Sequence, residues 1–321
     1  FFVVVVMEYF SSLHDHVVAT CGEKVAFVAY GVTALLAMRV IGKLRTRSRA
    51  VKINGSVCVV SGASQGIGAS VGELLSARGA RKVILVARTQ SKLDAVADKI
   101  NEKYPGTAVA FPVDCSDYSQ VEKLAQSVKE EFGAPRILIN CAGAGAWRYL
   151  WEMDAKDVVG CMNAPYFAAA MMSKAFVCDM IEQNCGTIVN VQSPAGHISW
   201  GGSTAYMAGR WALRGLVEAL RADLYPTKVL VQEVVLGETK SEYFSNNPDS
   251  IERIPMIGKL APAMSSEQAA KGVINAIQSG SDTYSYPHML GFMMVLNKWF
   301  PSMIRYMSIK TGWQEMPKKS Q

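Results

Sequence analysis

A glycine-rich turn follows the first short apolar run of the sequence, and this junction constrains the fold more than any other feature. The run covers residues 56–60, and the turn reads Gly62-Ala63-Ser64-Gln65-Gly66-Ile67-Gly68 ahead of a helical stretch. Such a turn lets backbone amides approach a pyrophosphate at a helix N-terminus, because glycine has no side chain to block it. Glycine turns also simply connect a strand to a helix, so this alternative stays open.

The same alternation of apolar runs and helical stretches continues along the chain. We predict strands over 56–60, 82–87, 108–113, 136–140, 187–191 and 229–235, and helices over 69–78, 91–104, 121–132, 155–184 and 204–225. Pro165 is expected to bend or interrupt the long helix. Strands and helices in alternation predict an α/β fold, a Rossmann-type doubly wound parallel sheet in a single domain.

Size and composition fit one such domain. The 321 residues are half hydrophobic, and the net charge of +6 owes much to a short run with Lys43, Arg45, Arg47 and Arg49. That run lacks interleaved aromatics, so we predict no nucleic-acid partner, with a basic arm as the alternative. The seven cysteines include no CxxC pair, which argues against a metal site or a disulfide framework and fits a reducing compartment.

Residues 25–42, VAFVAYGVTALLAMRVIG, form an apolar stretch with one charge, Arg39, near its end. Its length is at the lower limit for crossing a bilayer, and the basic residues that follow it orient the remaining chain to the cytosol. We predict an N-terminal transmembrane helix and a membrane location, at the endoplasmic reticulum. A buried helix of the soluble domain is the alternative. FFVVVV precedes Met7, which we expect to be the natural start.

The end of the second predicted strand bears on the choice of dinucleotide. A site selective for NAD normally places an acid about 20 residues beyond the glycine turn, where it binds the ribose 2′-hydroxyl. Here the strand ends in Ala87 and Arg88, without an acid. Arg88 can pair with a 2′-phosphate, so NADP(H) is the predicted cofactor. A solvated arginine at a strand end is the alternative.

Further motifs carry a resemblance to a known family. Asn140-Cys141-Ala142-Gly143 closes the fourth predicted strand, Asn163 lies in the long helix, and Ser193 precedes Tyr206 by thirteen positions. Together with Ser61-Gly62 at the glycine turn, these motifs make residues 54–245 resemble the classical short-chain dehydrogenase/reductase family. The pattern of that family has a TGxxxGIG turn, an NNAG strand end, and a Ser, Tyr and Lys set aided by Asn.

The resemblance implies a role for each matching residue. Tyr206 would exchange a proton with the substrate oxygen, Ser193 would hydrogen-bond that oxygen, and Asn163 would hold a water and the helix geometry. The other positions are assigned to the cofactor: Asp114 to the adenine, Asn140, Ala142 and Gly143 to the channel, Gly237 after the sixth strand, and Thr239 to the carboxamide. Taken singly, Ser193 is also explained as a turn cap and Asn163 as a satisfied polar residue.

Arg210 departs from the pattern, because the family has lysine four positions after the tyrosine. Positions four apart share a helix face, and a fixed cation there favours ionisation of a phenol. Arginine keeps the charge but does not easily release a proton, so a relay through Arg210 is blocked. We predict an active NADP(H)-dependent oxidoreductase with Arg210 as a fixed electrostatic partner. The alternative is an NADP(H)-binding scaffold or sensor with little turnover.

In this family, substrate-binding residues follow the sixth strand and lie near the C-terminus. Residues 241–257 are predicted to form a polar lid. The tail at 289–307, MLGFMMVLNKWFPSMIRYM, is expected to lie in a membrane interface, to line an apolar pocket, or to pack on the core. An anchor at one end and an apolar tail at the other favour a lipophilic carbonyl or alcohol: a sterol, a retinoid, or a long-chain or sphingoid ketone.

The predicted organisation has three parts: a tail, anchor and basic run at 1–50, the dehydrogenase/reductase domain at 51–285, and the apolar tail at 286–321. This arrangement loosely resembles that of 3-ketodihydrosphingosine reductases. The family resemblance also allows a homodimer, because many relatives associate through the helix that carries the tyrosine.

Overall fold

The computed structural model describes residues 46, 48–241, 243, 247 and 250–312. The chain divides into two units, Phe1–Ser48 and Arg49–Gln321, and nearly all of the described residues belong to the second. The predicted anchor at 25–42 and the predicted start at Met7 lie outside the described residues. Within the described part, no helix combines the length and the apolar character that a bilayer crossing needs. The three-part division predicted from the sequence stays a prediction.

A parallel sheet of seven strands lies at the centre of the second unit, with the order β3-β2-β1-β4-β5-β6-β9. The strands are β1 Val57–Ser61, β2 Lys82–Ala87, β3 Ala108–Pro112, β4 Ile137–Asn140, β5 Gly186–Gln192, β6 Val229–Leu236 and β9 Thr283–Tyr286. Two short strands, β7 Thr239–Lys240 and β8 Met264–Ser265, pair separately. The strand order reverses at β1 and β4, and ligands of such sheets bind at this point, beyond the carboxyl ends of the strands.

Helices cover both faces of the sheet, and its central strands β5 and β6 are therefore buried along their whole length. The helices are α1 Gly66–Ala77, α2 Gln90–Lys103, α3 Tyr118–Phe132, α4 Ala155–Met162, α5 Ala168–Glu182, α6 Thr204–Asp223, α7 Ser266–Ser279, α8 His288–Trp299 and α9 Pro301–Thr311. One core cluster joins α1, α2 and α7 to the sheet, and a second joins α3, α5 and α6 to it. The predicted doubly wound parallel fold is confirmed.

The helix predicted over 155–184 is interrupted where expected. A π-helical turn, Asn163–Phe167, separates α4 from α5. Pro165 lies within this turn and has no N–H to donate to an α-helical hydrogen bond, so the local widening has a direct cause. The interruption places Asn163 at the first position of the wide turn.

The C-terminal part differs most from the sequence prediction. Helix α7 and strand β9 were not predicted, although a capping box between Ser265 and Gln268 marks the start of α7. The apolar tail is two helices rather than one segment, because Pro301 begins α9. Part of the predicted lid over 241–257 lies outside the described residues, while Tyr243 and Ile257 are described and line the cleft reported below.

Candidate active site

A cleft of about 710 Å³ opens at the carboxyl ends of the strands. It is lined by every site residue predicted from the sequence except Asn140. These residues are Gly62, Ser64, Gln65, Gly66, Ile67, Gly68, Arg88, Asp114, Ala142, Gly143, Asn163, Ser193, Tyr206, Arg210, Gly237 and Thr239. The parallel sheet explains this convergence, because the loops that follow its strands all emerge at one edge.

The glycine turn between β1 and α1 is as tight as its sequence predicts. Gly62 has φ +68°, and a Cβ there would lie 2.8 Å from the backbone nitrogen of Ala142. A Cβ at Gly68 would collide with the carbonyl oxygen of Gly62. The N-cap residue of α1, Gln65, makes no side-chain cap, and the first turn holds no acid. The first amides of α1, beside the cleft, are therefore suited to bind an anion.

Basic residues follow β2 on the same side of the cleft. Arg88 is exposed and lines the cleft together with Lys92, whose Nζ donates to Oε1 of Gln65 at 3.2 Å. The Asp114 carboxylate accepts from the backbone N and the Oγ of Ser116 at 2.9 and 2.7 Å. These bonds, helped by the charge of Arg88, lower the pKa of Asp114 below its ordinary value. Lys92 was not predicted from the sequence, although it lies only four positions after Arg88 at the start of α2.

Asn140 does not line the channel, contrary to expectation. Its side chain is 3% exposed, and its Nδ2 donates to Oδ1 of Asn190 at 3.0 Å, with Ser173 Oγ 3.4 Å away. Since these partners belong to β5 and α5, the amide ties β4 to its neighbours beneath the cleft. The strand end contributes Ala142 and Gly143 to the lining instead.

Ser193 lies directly after β5 and lines the cleft. Its Oγ accepts from the backbone N of Ala195 at 3.2 Å and so caps the short turn Pro194–Gly196. This is the cap offered as an alternative in the sequence analysis. A hydroxyl that accepts one hydrogen bond keeps its proton for another acceptor, so the cap and a contact with a substrate oxygen are compatible.

Tyr206 is 5% exposed and packs within an aromatic wall. Its ring centroid lies 5.3 Å from that of Trp147 and 6.2 Å from that of Tyr243. The Tyr243 hydroxyl accepts from Trp147 Nε1 and donates to the carbonyl of Gly145, both at 2.9 Å. Burial, with the nearby Tyr206 as a smaller cause, raises the pKa of Tyr243, so this second phenol stays protonated. Sequence reasoning missed both Trp147 and Tyr243.

Arg210 is fixed between the end of β5 and the loop after β4. Its guanidinium carbon lies 5.2 Å from the centroid of the Tyr206 ring, and its Nη1 donates to the carbonyl of Val191 at 2.9 Å. A Cβ at Gly143 would lie 2.8 Å from Nη2, so the glycine leaves the room that the planar group needs. The side chain is 8% exposed, and its Nε has no hydrogen-bond partner among the described residues.

Cys141 also lines the cleft, close to Arg210. Burial raises the pKa of the Cys141 thiol to about 12, and the charge of Arg210 opposes this only in part. A thiol with such a pKa is neutral near pH 7 and is a poor nucleophile. Cys141 therefore contributes only its shape to the cleft. The candidate groups for acid–base and electrostatic roles here are the Tyr206 phenol and the Arg210 guanidinium.

The far side of the cleft is apolar. Ile198 and Ile257 line it together with Leu290 and Met293 of α8, and Ser308 of α9 also faces it. The opposite face of the same two helices is exposed and equally apolar, with Phe292 59% and Trp299 75% exposed. The tail thus lines the pocket on one side and presents large apolar side chains on the other.

The chain has clear relatives. A family model described as short chain dehydrogenase matches residues 56–251. The chain is 31% identical over 242 residues to a 3-dehydrosphinganine reductase of Danio rerio. The matched region covers 74% of this chain and 72% of that protein. The chain is 32% identical over 244 residues to a 3-ketodihydrosphingosine reductase of Mus musculus, with coverage of 72% and 73%. A crystal structure of a short chain dehydrogenase from Burkholderia cenocepacia in complex with NADP is similar at a TM-score of 0.68 and 26% identity, and covers 80% of this chain and 98% of that one.

Proposed function

The chain belongs to the short chain dehydrogenase family, and on this premise we propose that it transfers a hydride between NADP(H) and a lipophilic carbonyl or alcohol. One observation carries the proposal. A single cleft contains the glycine turn at one end, the packed pair Tyr206 and Arg210 in the middle, and an apolar pocket at the other end. Such a cleft suits a charged cofactor and an apolar substrate that meet at a proton donor.

The residues present fit NADP(H). The amides at the start of α1 suit its pyrophosphate, and Asp114, which lines the same cleft, suits the adenine contact that the family resemblance implies. Arg88 and Lys92 suit a 2′-phosphate, for which a site with an acid at this point would be repulsive. Nε of Arg210, for which the described residues offer no hydrogen-bond partner, suits a ribose hydroxyl as acceptor. When bound, the nicotinamide supplies or accepts the hydride.

Reduction of a ketone also needs a proton on oxygen, and we assign this to Tyr206. The phenol gives its proton to the substrate oxygen and becomes a phenolate, whose charge the adjacent Arg210 offsets. Ser193 donates to the same oxygen and stabilises its developing charge. Because Arg210 does not release a proton readily, the Tyr206 phenolate is reprotonated by water. Asn163, exposed at the π-helical turn and lining the cleft, is suited to hold that water.

The apolar half of the cleft supports a long-chain substrate. Its walls come from Ile198, Ile257 and the inner face of α8 and α9. The names of the two vertebrate relatives describe reductases of a sphingoid ketone, which supports a ketone of that kind within the broader class of long-chain, retinoid and sterol carbonyls.

We further propose that the exposed side of α8 and α9, here called the outer face, lies on a membrane. It consists of Met289, Phe292, Val295, Trp299, Phe300, Met303 and Tyr306, all at least 47% exposed. Lys298, Arg305 and Lys310 accompany these apolar side chains, which suits anionic headgroups. Because the same helices wall the pocket, a substrate dissolved in the bilayer would have a short path to Tyr206. Location at the endoplasmic reticulum and homodimer formation remain proposals from the family resemblance.

A scaffold or sensor that binds NADP(H) without turnover is the second candidate. One observation favours it: Arg210 donates to the Val191 carbonyl, which engages part of the guanidinium in the protein itself. In this case NADPH binds, no ketone is reduced, and Arg210→Lys restores nothing.

The test is NADPH oxidation by the purified full chain in lipid vesicles, followed by absorbance. The carbonyl substrates are three ketones, namely ketodihydrosphingosine, a steroid ketone and dodecanone, and one aldehyde, retinal. We expect turnover of at least one long-chain carbonyl, faster with NADPH than with NADH. NADPH binding without turnover in both the wild type and Arg210→Lys would establish the scaffold, and absence of NADPH binding would refute both candidates.

A further inference from the structure

Two buried polar atoms on the apolar side of the cleft have no hydrogen-bond partner among the described residues. They are Oγ of Ser308 in α9 and Nε1 of Trp200, in the loop after β5. Both residues line the cleft, and Ser308 is 0% exposed. Leaving a buried donor or acceptor unpaired costs about 1–3 kcal/mol, so such atoms call for a ligand or another explanation.

The two residues lie in adjacent parts of one wall. A Cβ built on Gly312 would lie 2.8 Å from the carbonyl oxygen of Ser308 and 3.7 Å from Cβ of Trp200, so one glycine touches both. Asn297 of α8 donates from Nδ2 to the carbonyl of His197 at 3.3 Å. These contacts fasten α8 and α9 to the loop that carries Trp200, so the unpaired atoms belong to a fixed surface.

The surroundings limit what these atoms can bind. Ile304, four positions before Ser308 on α9, belongs to a buried apolar cluster with Ile198, Ile257 and Met293. The Trp200 ring packs against Trp147, with 5.4 Å between ring centroids, at the edge of the aromatic cluster around Tyr206. The charged residues that line the cleft, among those described, are Arg88, Lys92, Asp114, Arg210 and Glu238. Four of these lie with the glycine turn or beside Tyr206, and Glu238 follows β6. An ionised group beside Ser308 would lose its hydration without a countercharge among these residues, so a neutral group is favoured.

The chemistry of the two atoms specifies that group further. An indole N–H only donates, whereas a serine hydroxyl both donates and accepts. Resting on the proposed function, we infer that Trp200 and Ser308 form a subsite for a neutral oxygen, above all a hydroxyl, carried on the apolar part of the carbonyl substrate. The subsite would select hydroxylated long-chain ketones over plain ones and set which chain position faces the wall.

The experiment compares dodecanone with a series of hydroxydodecanones whose hydroxyl steps along the chain. For the wild type, we expect one member of the series to exceed dodecanone in kcat/KM by about 10-fold, as one to two neutral hydrogen bonds allow. Ser308→Ala and Trp200→Phe should each reduce this preference, measured as the ratio of the two kcat/KM values so that a general effect on the cleft cancels, to about 3-fold or less. Ser302→Ala, an exposed serine of the same helix, is the matched control and should keep the full preference.

The thermal midpoint separates folding from binding. Ser308→Ala removes an unpaired buried hydroxyl, so its midpoint should equal or exceed that of the wild type. Calorimetric binding of dodecanediols and dodecanol provides a readout that needs no turnover. Ser308→Ala should then weaken only the diol. The subsite would be overturned if the wild type shows no preference for the hydroxylated ligand, or if both variants keep the preference unchanged. If the wild type prefers the diol but reduces no ketone, only the proposed function is overturned.

Discussion

The guanidinium carbon of Arg210 lies 5.2 Å from the centroid of the Tyr206 ring, and a hydrogen bond of 2.9 Å from its Nη1 to the Val191 carbonyl fixes it there. The cation is therefore held against the face of the phenol by the end of strand β5. This placement differs from a mobile amine that reaches past the tyrosine. It supplies a permanent positive charge beside Tyr206 without a proton to pass on.

Substitutions at Arg210 should distinguish an electrostatic role of its positive charge from a role in a proton relay. Arg210→Met removes the charge, and we expect kcat to fall by about 10- to 100-fold, because the phenolate formed at Tyr206 loses the adjacent positive charge that stabilises it. Arg210→Lys keeps the charge and should stay within about 10-fold of the wild type. Steady-state NADPH oxidation measures both variants, and an Arg210→Met variant as fast as the wild type would show that the charge is dispensable.

The basic residues beyond β2 predict the cofactor preference. Arg88→Ala should raise KM for NADPH by about 10-fold and leave KM for NADH nearly unchanged, because only the former carries a 2′-phosphate. Arg78→Ala, an exposed arginine after α1, is the control and should change neither value. An equal effect of Arg88→Ala on both cofactors would mean that Arg88 does not recognise the phosphate.

The glycine turn offers a matched pair of substitutions. Gly62 and Gly106 have φ of +68° and +69°, but a Cβ at Gly62 meets the backbone of Ala142, whereas a Cβ at Gly106 meets nothing within 4 Å. Gly106→Ala should cost only the backbone strain, about 1–2 kcal/mol of unfolding free energy. Gly62→Ala should cost clearly more and weaken NADPH binding. Urea unfolding and NADPH titration compare them, and equal costs would contradict the close approach of the two loops.

If the outer face of α8 and α9 lies on a membrane, Trp299 should contact lipid. In vesicles with brominated lipids, Trp299→Phe should lose a large part of the fluorescence quenching, because Trp299 is 75% exposed on that face. Trp211→Phe is the control, because Trp211 is also exposed, at 45%, but lies on α6 and not on the outer face. The apolar stretch at 25–42 contains no tryptophan and so does not contribute to the signal. Equal quenching in Trp299→Phe and the wild type would show that this face does not contact the bilayer.

Much of the fold follows from local patterns in the sequence. The runs of β-branched residues and the glycine turn predict strands β1 to β6 and their parallel arrangement, because fully buried strands are apolar on both sides. Strand β9 escaped prediction, since TYSY at Thr283–Tyr286 is a half-exposed edge strand with hydroxyl-bearing residues. The tail divides at Pro301, the first residue of α9, because proline fits the first turn of a helix but not its interior.

The sequence predicts those site residues whose position follows from their own strand, turn or helix. It does not predict the residues that reach the site, or leave it, through tertiary contacts. Tyr206, Ser193 and the glycines reach the cleft because each follows or starts an element at the sheet edge. Asn140 did not, because its amide finds partners in β5 and α5 that no sequence spacing reveals. Trp147 and Tyr243 are 96 positions apart in the sequence, and no sequence pattern reveals the hydrogen bond that joins them beside Tyr206.

The most direct test of the account is the rate of ketone reduction by Tyr206→Phe, measured at saturating NADPH alongside Tyr243→Phe. Both substitutions remove one hydroxyl from the same aromatic wall, but only Tyr206 is assigned the proton transfer. We predict that Tyr206→Phe binds NADPH normally and loses about 10²- to 10⁴-fold in kcat, while Tyr243→Phe stays within about 10-fold of the wild type. Turnover by Tyr206→Phe that matches the wild type would contradict the mechanism.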